Sequence, residues 1–158
     1  MDLSNQLEVR YHTFGRQNPF LASIPKEVDQ FIDALLERSD SHDAAHVLST
    51  ARPRLDVGFP DHELYVGVDR DASAGMLILS LPETGTLVSA GFPGLNVNRF
   101  HHVAGHPIEF PDGSGVPILF ARQAVKEFLL LRGGIPDCIE WRPYGNPEAP
   151  VDDEDIWS

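Results

Sequence analysis

His101, His102 and His106 crowd into one short segment, GFPGLNVNRFHHVAG, spanning residues 91–105 and its edge. Grouped imidazoles are the usual beginning of a zinc site, which needs two to four ligands converging at about 2 Å. His62 or Glu109 could complete such a set. His102 and His106, at i and i+4, would share one face of a helix. The surrounding Gly, Pro and Asn argue against a helix, so that spacing loses its geometric meaning. The three are therefore read as dispersed loop histidines, with no metal and no cofactor expected. A small metal-dependent hydrolase using His101, His102, His106 and a carboxylate stands as the alternative.

Other chemistries fare worse. Asp69 and Asp71 flank Arg70 where a turn is expected, which is the ordinary place for such residues. Cys138 is the single cysteine, and its neighbours Asp137 and Glu140 would raise a thiol pKa rather than lower it. The glycines of Gly91-Phe92-Pro93-Gly94 and Asp112-Gly113-Ser114-Gly115 lack the spacing and lysine of a phosphate-binding loop. No catalytic residue is assigned, and the chain is not expected to be an enzyme.

Binding remains. Trp141, Tyr144 and Trp157 flank or lie within an acidic segment that contains Asp152, Asp153, Glu154 and Asp155. Aromatic anchors beside carboxylates suit a basic protein partner, because aromatics dominate binding energy and charge speeds encounter. The ordinary reading is that Trp141 belongs to the core and Trp157 docks on its own domain. Charge favours a basic partner too: twelve Lys and Arg oppose 24 Asp and Glu, a formal net charge of −12. Such a surface repels nucleic acid and anionic membranes. A non-catalytic regulatory module with an unrelated basic partner fits the same observations.

The 158 residues fit a single domain, 1–158, with residues 142–158 as an acidic C-terminal tail. The N-terminus lacks a basic run followed by an apolar core, and no apolar stretch approaches the length of a membrane span. A cytoplasmic location is expected. The oligomeric state is left open.

The elements that must position these groups follow from periodicity. Gln6 to His12 alternates Leu7, Val9 and Tyr11 with polar residues, as a half-buried strand does. Residues 15–20 form a loop, and Pro25 to Arg38 is an amphipathic helix with Ser23 as N-cap and Pro25 in its first turn. Ser39 to Thr50 could be a helical turn or a loop. Strands are expected at Glu63–Asp69, Met76–Leu81 and Thr86–Ala90, with turns at 71–75 and 83–85. Shorter strands are expected near Val103 and at Pro107–Phe110, closed by the turn 111–115. Ala121, Ala124, Val125, Phe128 and Leu129 form the stripe of a second helix. Gly133 and Gly134 supply its left-handed stop, Pro136 prevents resumption, and Cys138–Trp141 is a last strand. The order predicts an α+β fold: an antiparallel meander with two amphipathic helices packed on one face.

The unit helix-LRGGIPDCIEW, read with the upstream ELYVGVDRDASAGMLILSL, resembles the first family of the Imm-type bacterial immunity proteins. The match covers roughly Glu63 to Trp141, while Leu7 to Arg38 agrees only in element order. The turn Asp71-Ala72-Ser73-Ala74-Gly75 departs from the aromatic or glycine-rich turn of the family pattern. The resemblance implies an antidote that binds and inhibits a cognate secreted toxin, often a nucleic-acid deaminase, in competition between bacteria. It carries over no catalytic residue. Asp69, Asp71, Trp141, Tyr144, Asp152, Asp153, Glu154, Asp155 and Trp157 are the expected toxin-contacting residues.

Overall fold

The computed structural model describes residues 5–11, 19–37, 43–54 and 58–144. The elements run β1 (Leu7–Arg10), β2 (Phe20–Ala22), α1 (Pro25–Leu36), β3 (Ala44–Ser49), β4 (Glu63–Asp69), β5 (Ala74–Leu81) and β6 (Gly85–Ser89). There follow β7 (Phe100–Val103), β8 (His106–Glu109), β9 (Val116–Pro117), α2 (Ile118–Leu130) and β10 (Trp141–Pro143). The main sheet has the order β10-β6-β5-β4-β3-β1-β2, with the short β9 pairing to β5, and every pairing is antiparallel. β7 and β8 make a separate hairpin. This is the α+β meander expected.

Strand alternation divides the sheet into two faces. Val9, Val47, Leu64, Val66, Leu77 and Leu79 join Val28, Phe31 and Ile32 of α1 and Ala121, Val125 and Phe128 of α2 in one core. Both helices therefore pack on the same face. Fully buried, Phe31 and Phe128 each contribute about 2–3 kcal/mol of apolar transfer. The opposite face carries a smaller core of Met76, Ile78, Val88 and Phe110, partly covered by Tyr65 and Ile108.

Close approach explains two glycines. A Cβ on Gly75 of β5 would stand 2.4 Å from the Ala121 Cβ, so its absence lets α2 lie directly on the sheet. A Cβ on Gly67 would stand 2.8 Å from the Phe110 ring on the other face.

Several expectations are corrected. Residues 44–49 are neither helical turn nor loop but a sheet strand, paired to both β1 and β4. Its pattern is buried almost throughout, so the alternation that reveals a half-exposed strand is missing. Ser23 is not the N-cap of α1: Ile24 holds that position without a side-chain bond, and Glu27 reaches back to accept the Ser23 N–H at 2.7 Å. Pro25 does stand in the first turn. The left-handed stop of α2 is made by Arg132 (φ 56°) and Gly133 (φ 87°), not by Gly134. The Gly133 N–H returns to the Phe128 carbonyl, and its Cα abuts the Arg52 side chain, leaving room for no Cβ. The turn expected at 71–75 is shorter, with Ser73 at positive φ, and Ala74 and Gly75 already belong to β5. The last strand begins at Trp141 rather than Cys138, and Arg142 and Pro143, read as tail, extend the sheet along β6. Pro143 is tolerated there because β10 is an edge. His12 and Arg38 lie outside the described residues. Among those described, no helix is long and apolar enough to cross a membrane.

Candidate functional site

The β7–β8 hairpin is fastened to the sheet by one histidine. His101 is buried; its Nδ1 lies 2.8 Å from the Asp43 carboxylate and its Nε2 2.9 Å from the Asn98 carbonyl. Its ring meets Phe110 edge-on at 5.7 Å. The other Asp43 oxygen accepts the His102 backbone N–H at 2.7 Å. Successive strand residues face opposite ways, so His101 and His102 diverge. His106 is exposed across the hairpin turn. The three histidines thus do not converge, and among the described residues no group of three or more His, Cys, Asp or Glu could hold a metal ion.

His62 is also engaged. Its Nε2 accepts the Ser49 N–H at 2.7 Å, which requires that nitrogen to be unprotonated, while Nδ1 faces Asp61 at 2.9 Å. Burial lowers its pKa against the opposing pull of Asp61. Asp61 in turn pairs with Arg52, which reaches Glu83 and the Gly133 carbonyl. Burial would raise the Asp61 carboxyl, but hydrogen bonds from Arg52 and His62 hold it below the usual range. This network ties the β3–β4 connection to the end of α2.

The expected contact residues divide into three sets. Asp69 is buried, and its two oxygens accept the N–H groups of Ala72 and Asn98. It shapes the turn and holds the 96–98 segment. Asp71 is exposed and borders, with Asp69, Ala72 and residues 96–98, an open groove of ≈ 430 Å³. An adjoining groove of ≈ 360 Å³ is lined by Asp43, Asn98, Arg99, Phe100 and His102, with the Phe100 ring largely exposed. Trp141 packs half-buried against the main core and donates from Nε1 to the Pro136 carbonyl at 2.8 Å. Tyr144 packs on the smaller core and donates to the Glu109 carbonyl; burial and then Glu109 raise its pKa. Asp152, Asp153, Glu154, Asp155 and Trp157 lie outside the described residues.

Cys138 is half-buried, and its thiol is pushed up to about 11, first by burial and then by the Glu127 carboxylate. Asp137 adds only a minor part. The sequence foretells the direction and the part of Asp137, but not burial or Glu127, which act more strongly, while Glu140 takes no part. Sequence reasoning also missed Asp43, whose partner stands 58 positions away. Nothing local signals such a pair.

The arrangement is one of structural polar networks, open polar grooves and half-buried aromatics. The family described as Immunity protein Imm1 matches residues 16–143, most of the chain. The chain belongs to the Imm1 immunity protein family. No protein with curated annotation matches it. For an Imm1 protein the role is immunity, exercised by binding a cognate toxin, and the family is generally non-enzymatic. Of this Imm1 chain, the matched span takes in every strand and helix from β2 to β10, including both grooves. It leaves β1 and the terminal acidic segment outside.

Proposed function

We propose that this protein neutralises a cognate secreted toxin by stoichiometric binding, covering the basic surface with which that toxin engages nucleic acid. The observation that carries the reading is the Imm1 match over residues 16–143 in a chain of net charge −12. A toxin that acts on nucleic acid needs a cationic substrate groove, and a strongly acidic protein competes for it as a phosphate mimic. The toxin is a nucleic-acid deaminase, and binding takes place in the cytosol without cofactor or metal. Asp71, Trp141, Tyr144 and the terminal Asp152–Asp155 and Trp157 belong to the contact surface. Asp69 acts through the loop it holds.

The test is a titration of the purified protein into the C-terminal deaminase domains of secreted toxins, beginning with any encoded beside its gene. Deamination of a DNA substrate should fall linearly to zero at one equivalent, with a complex recovered by size exclusion. Undiminished deamination at ten equivalents would sink the reading.

A further inference from the structure

α2 carries apolar residues on both of its faces. Ala121, Ala124, Val125, Phe128 and Leu129 face the core. On the outer side, Leu119 is 73% exposed and Leu130 59%, with Phe120 and Leu131 also open to solvent. Of the ten large apolar side chains exposed among the described residues, five lie on α2, at its C-cap or against it: Leu119, Phe120 and Leu130 on the helix, Leu131 at the cap, and Phe92 against Phe120. The Phe92 ring sits 5.2 Å from that of Phe120, so the aromatic pair is preformed. Leu119 and Leu131 stand about 18 Å apart along the axis, at about 1.5 Å per residue. A monomer leaves so concentrated an apolar face open only where something else covers it. α1, by contrast, exposes no large apolar side chain between its second residue and its end.

The charges beside this face are mainly acidic. Glu127 lies between the two apolar ends and accepts the backbone N–H groups of Asp137 and Cys138. Asp137 and Glu140 are exposed on the segment that runs alongside, where the Cys138 thiol reaches the Phe120 carbonyl. Three cations share this side: Arg132 at the C-terminal end, and Arg122 and Lys126 on α2, the last standing with Gln123 on the line between Leu119 and Leu130. Asp29 and Asp33 of α1 pair with Arg122 and Lys126, so the surplus stays negative.

We infer that the outer face of α2 is the anchor of the toxin interface, seating apolar side chains of a basic protein surface within a charged rim in which carboxylates outnumber cations. This inference rests on the immunity reading and locates its contact. The occupant follows from charge. A second copy of a chain of net charge −12 would be repelled, as would its own acidic 152–155 segment, whereas a cationic domain is attracted. Apolar anchors that exclude water inside a polar rim are the arrangement that concentrates binding energy.

The experiment compares wild type with the double variant Leu119→Arg/Leu130→Arg, using the full chain and the toxin domain that the deaminase titration identifies. Both positions point to solvent, so folding should survive; Leu21→Arg, on the exposed edge strand β2, is the control. Circular dichroism and thermal melting confirm the fold. The double variant should bind about 100-fold more weakly, chiefly through faster dissociation, while the control binds as wild type. If a folded double variant binds as wild type does, the α2 face is not the interface and the immunity reading stands. If wild type itself fails to bind, the immunity reading falls and this inference with it. Sedimentation of the protein alone separates the remaining occupant: a wild-type dimer made monomeric by the double variant would assign the face to self-association and overturn the proposal.

Discussion

Asp43 grips β7 twice, with one carboxylate oxygen 2.8 Å from His101 Nδ1 and the other accepting the His102 N–H at 2.7 Å. The same residue donates nothing to the sheet by its side chain, but its carbonyl accepts the Val68 N–H and so anchors it beside β4. One residue before β3 thereby positions a hairpin on the second face. The groove lined by Asp43, Phe100 and His102 depends on where that hairpin sits.

Replacing Asp43 with Ala should leave a buried His101 nitrogen and the His102 N–H without their partner. A cost of about 2–3 kcal/mol is expected. Urea unfolding measures the loss, and hydrogen exchange should show protection lost in β7 and β8 before the main sheet. If exchange rises uniformly across β1 to β6 instead, Asp43 supports the whole fold rather than the hairpin.

Gly75 and Ala121 set the distance between β5 and α2. A methyl group on Gly75 would meet the Ala121 Cβ at 2.4 Å, well inside contact distance, and both partners are buried backbone-proximal atoms that cannot swing aside. Gly75→Ala should destabilise by about 1–3 kcal/mol through overpacking. Adding Ala121→Gly opens the same space and should recover part of the loss despite the helix penalty of glycine. Strictly additive costs in the double variant would refute the steric account.

The ring of His62 should make the fold weaken on mild acidification. Burial holds its pKa below 6.5, so between 6.5 and that lowered value the unfolded chain binds a proton that the folded chain refuses. Its contribution is complete above pH 6.5 and is lost as pH falls through the folded value. His46 behaves likewise, because burial outweighs the pull of Glu63. Asp61 and Asp29, both lowered, hold their contributions until pH drops below about 4, the unfolded carboxylate range. Urea midpoints at pH 7.5, 6.0 and 5.0 should therefore decline before any carboxylate titrates. His62→Gln, whose carbonyl can still accept the Ser49 N–H, should flatten that decline and leave only the part due to His46. An unchanged slope in the variant would remove His62 from the account.

What was legible in the sequence was what repeats. The stripe Val28, Phe31, Ile32, Leu35 announces α1 because one side of that helix is wet and the other dry. β4 is announced by its alternating letters Leu64, Val66 and Val68, although only its first residues alternate in burial. β3 escaped because sheet partners on both sides and burial on both faces erase that contrast, and because Ala44 and Ala45 have little strand propensity. The stop of α2 was located correctly, yet its left-handed residue pair was shifted, since Arg132 adopts a conformation usually left to glycine. The histidines show the other limit. They are read from the sequence as dispersed in a loop, with a ligand set only as the alternative, whereas they stand on strands, and the register of β7 against β8 fixes how they are separated. The outer residues of α2, Leu119, Phe120, Leu130 and Leu131, were visible as apolar letters between stripe positions. Their exposure emerged only once the core was seen to be filled by others.

The terminal carboxylates make a separate kinetic claim. Asp152, Asp153, Glu154 and Asp155 add four negative charges within four residues, beyond the strand that ends at Pro143. Charges of this kind act over a Debye length of about 8–10 Å in ordinary salt, so they accelerate encounter with a cationic domain more than they slow its departure. Replacing all four with Ala should lower the association rate about tenfold at low ionic strength and flatten its dependence on salt. Dissociation and the melting temperature should barely move, which distinguishes this segment from the α2 face, where dissociation is expected to change. Stopped-flow association measured at 20 and 200 mM salt reads both quantities. Identical rates for variant and wild type at the lower salt would show that the acidic segment takes no part in steering.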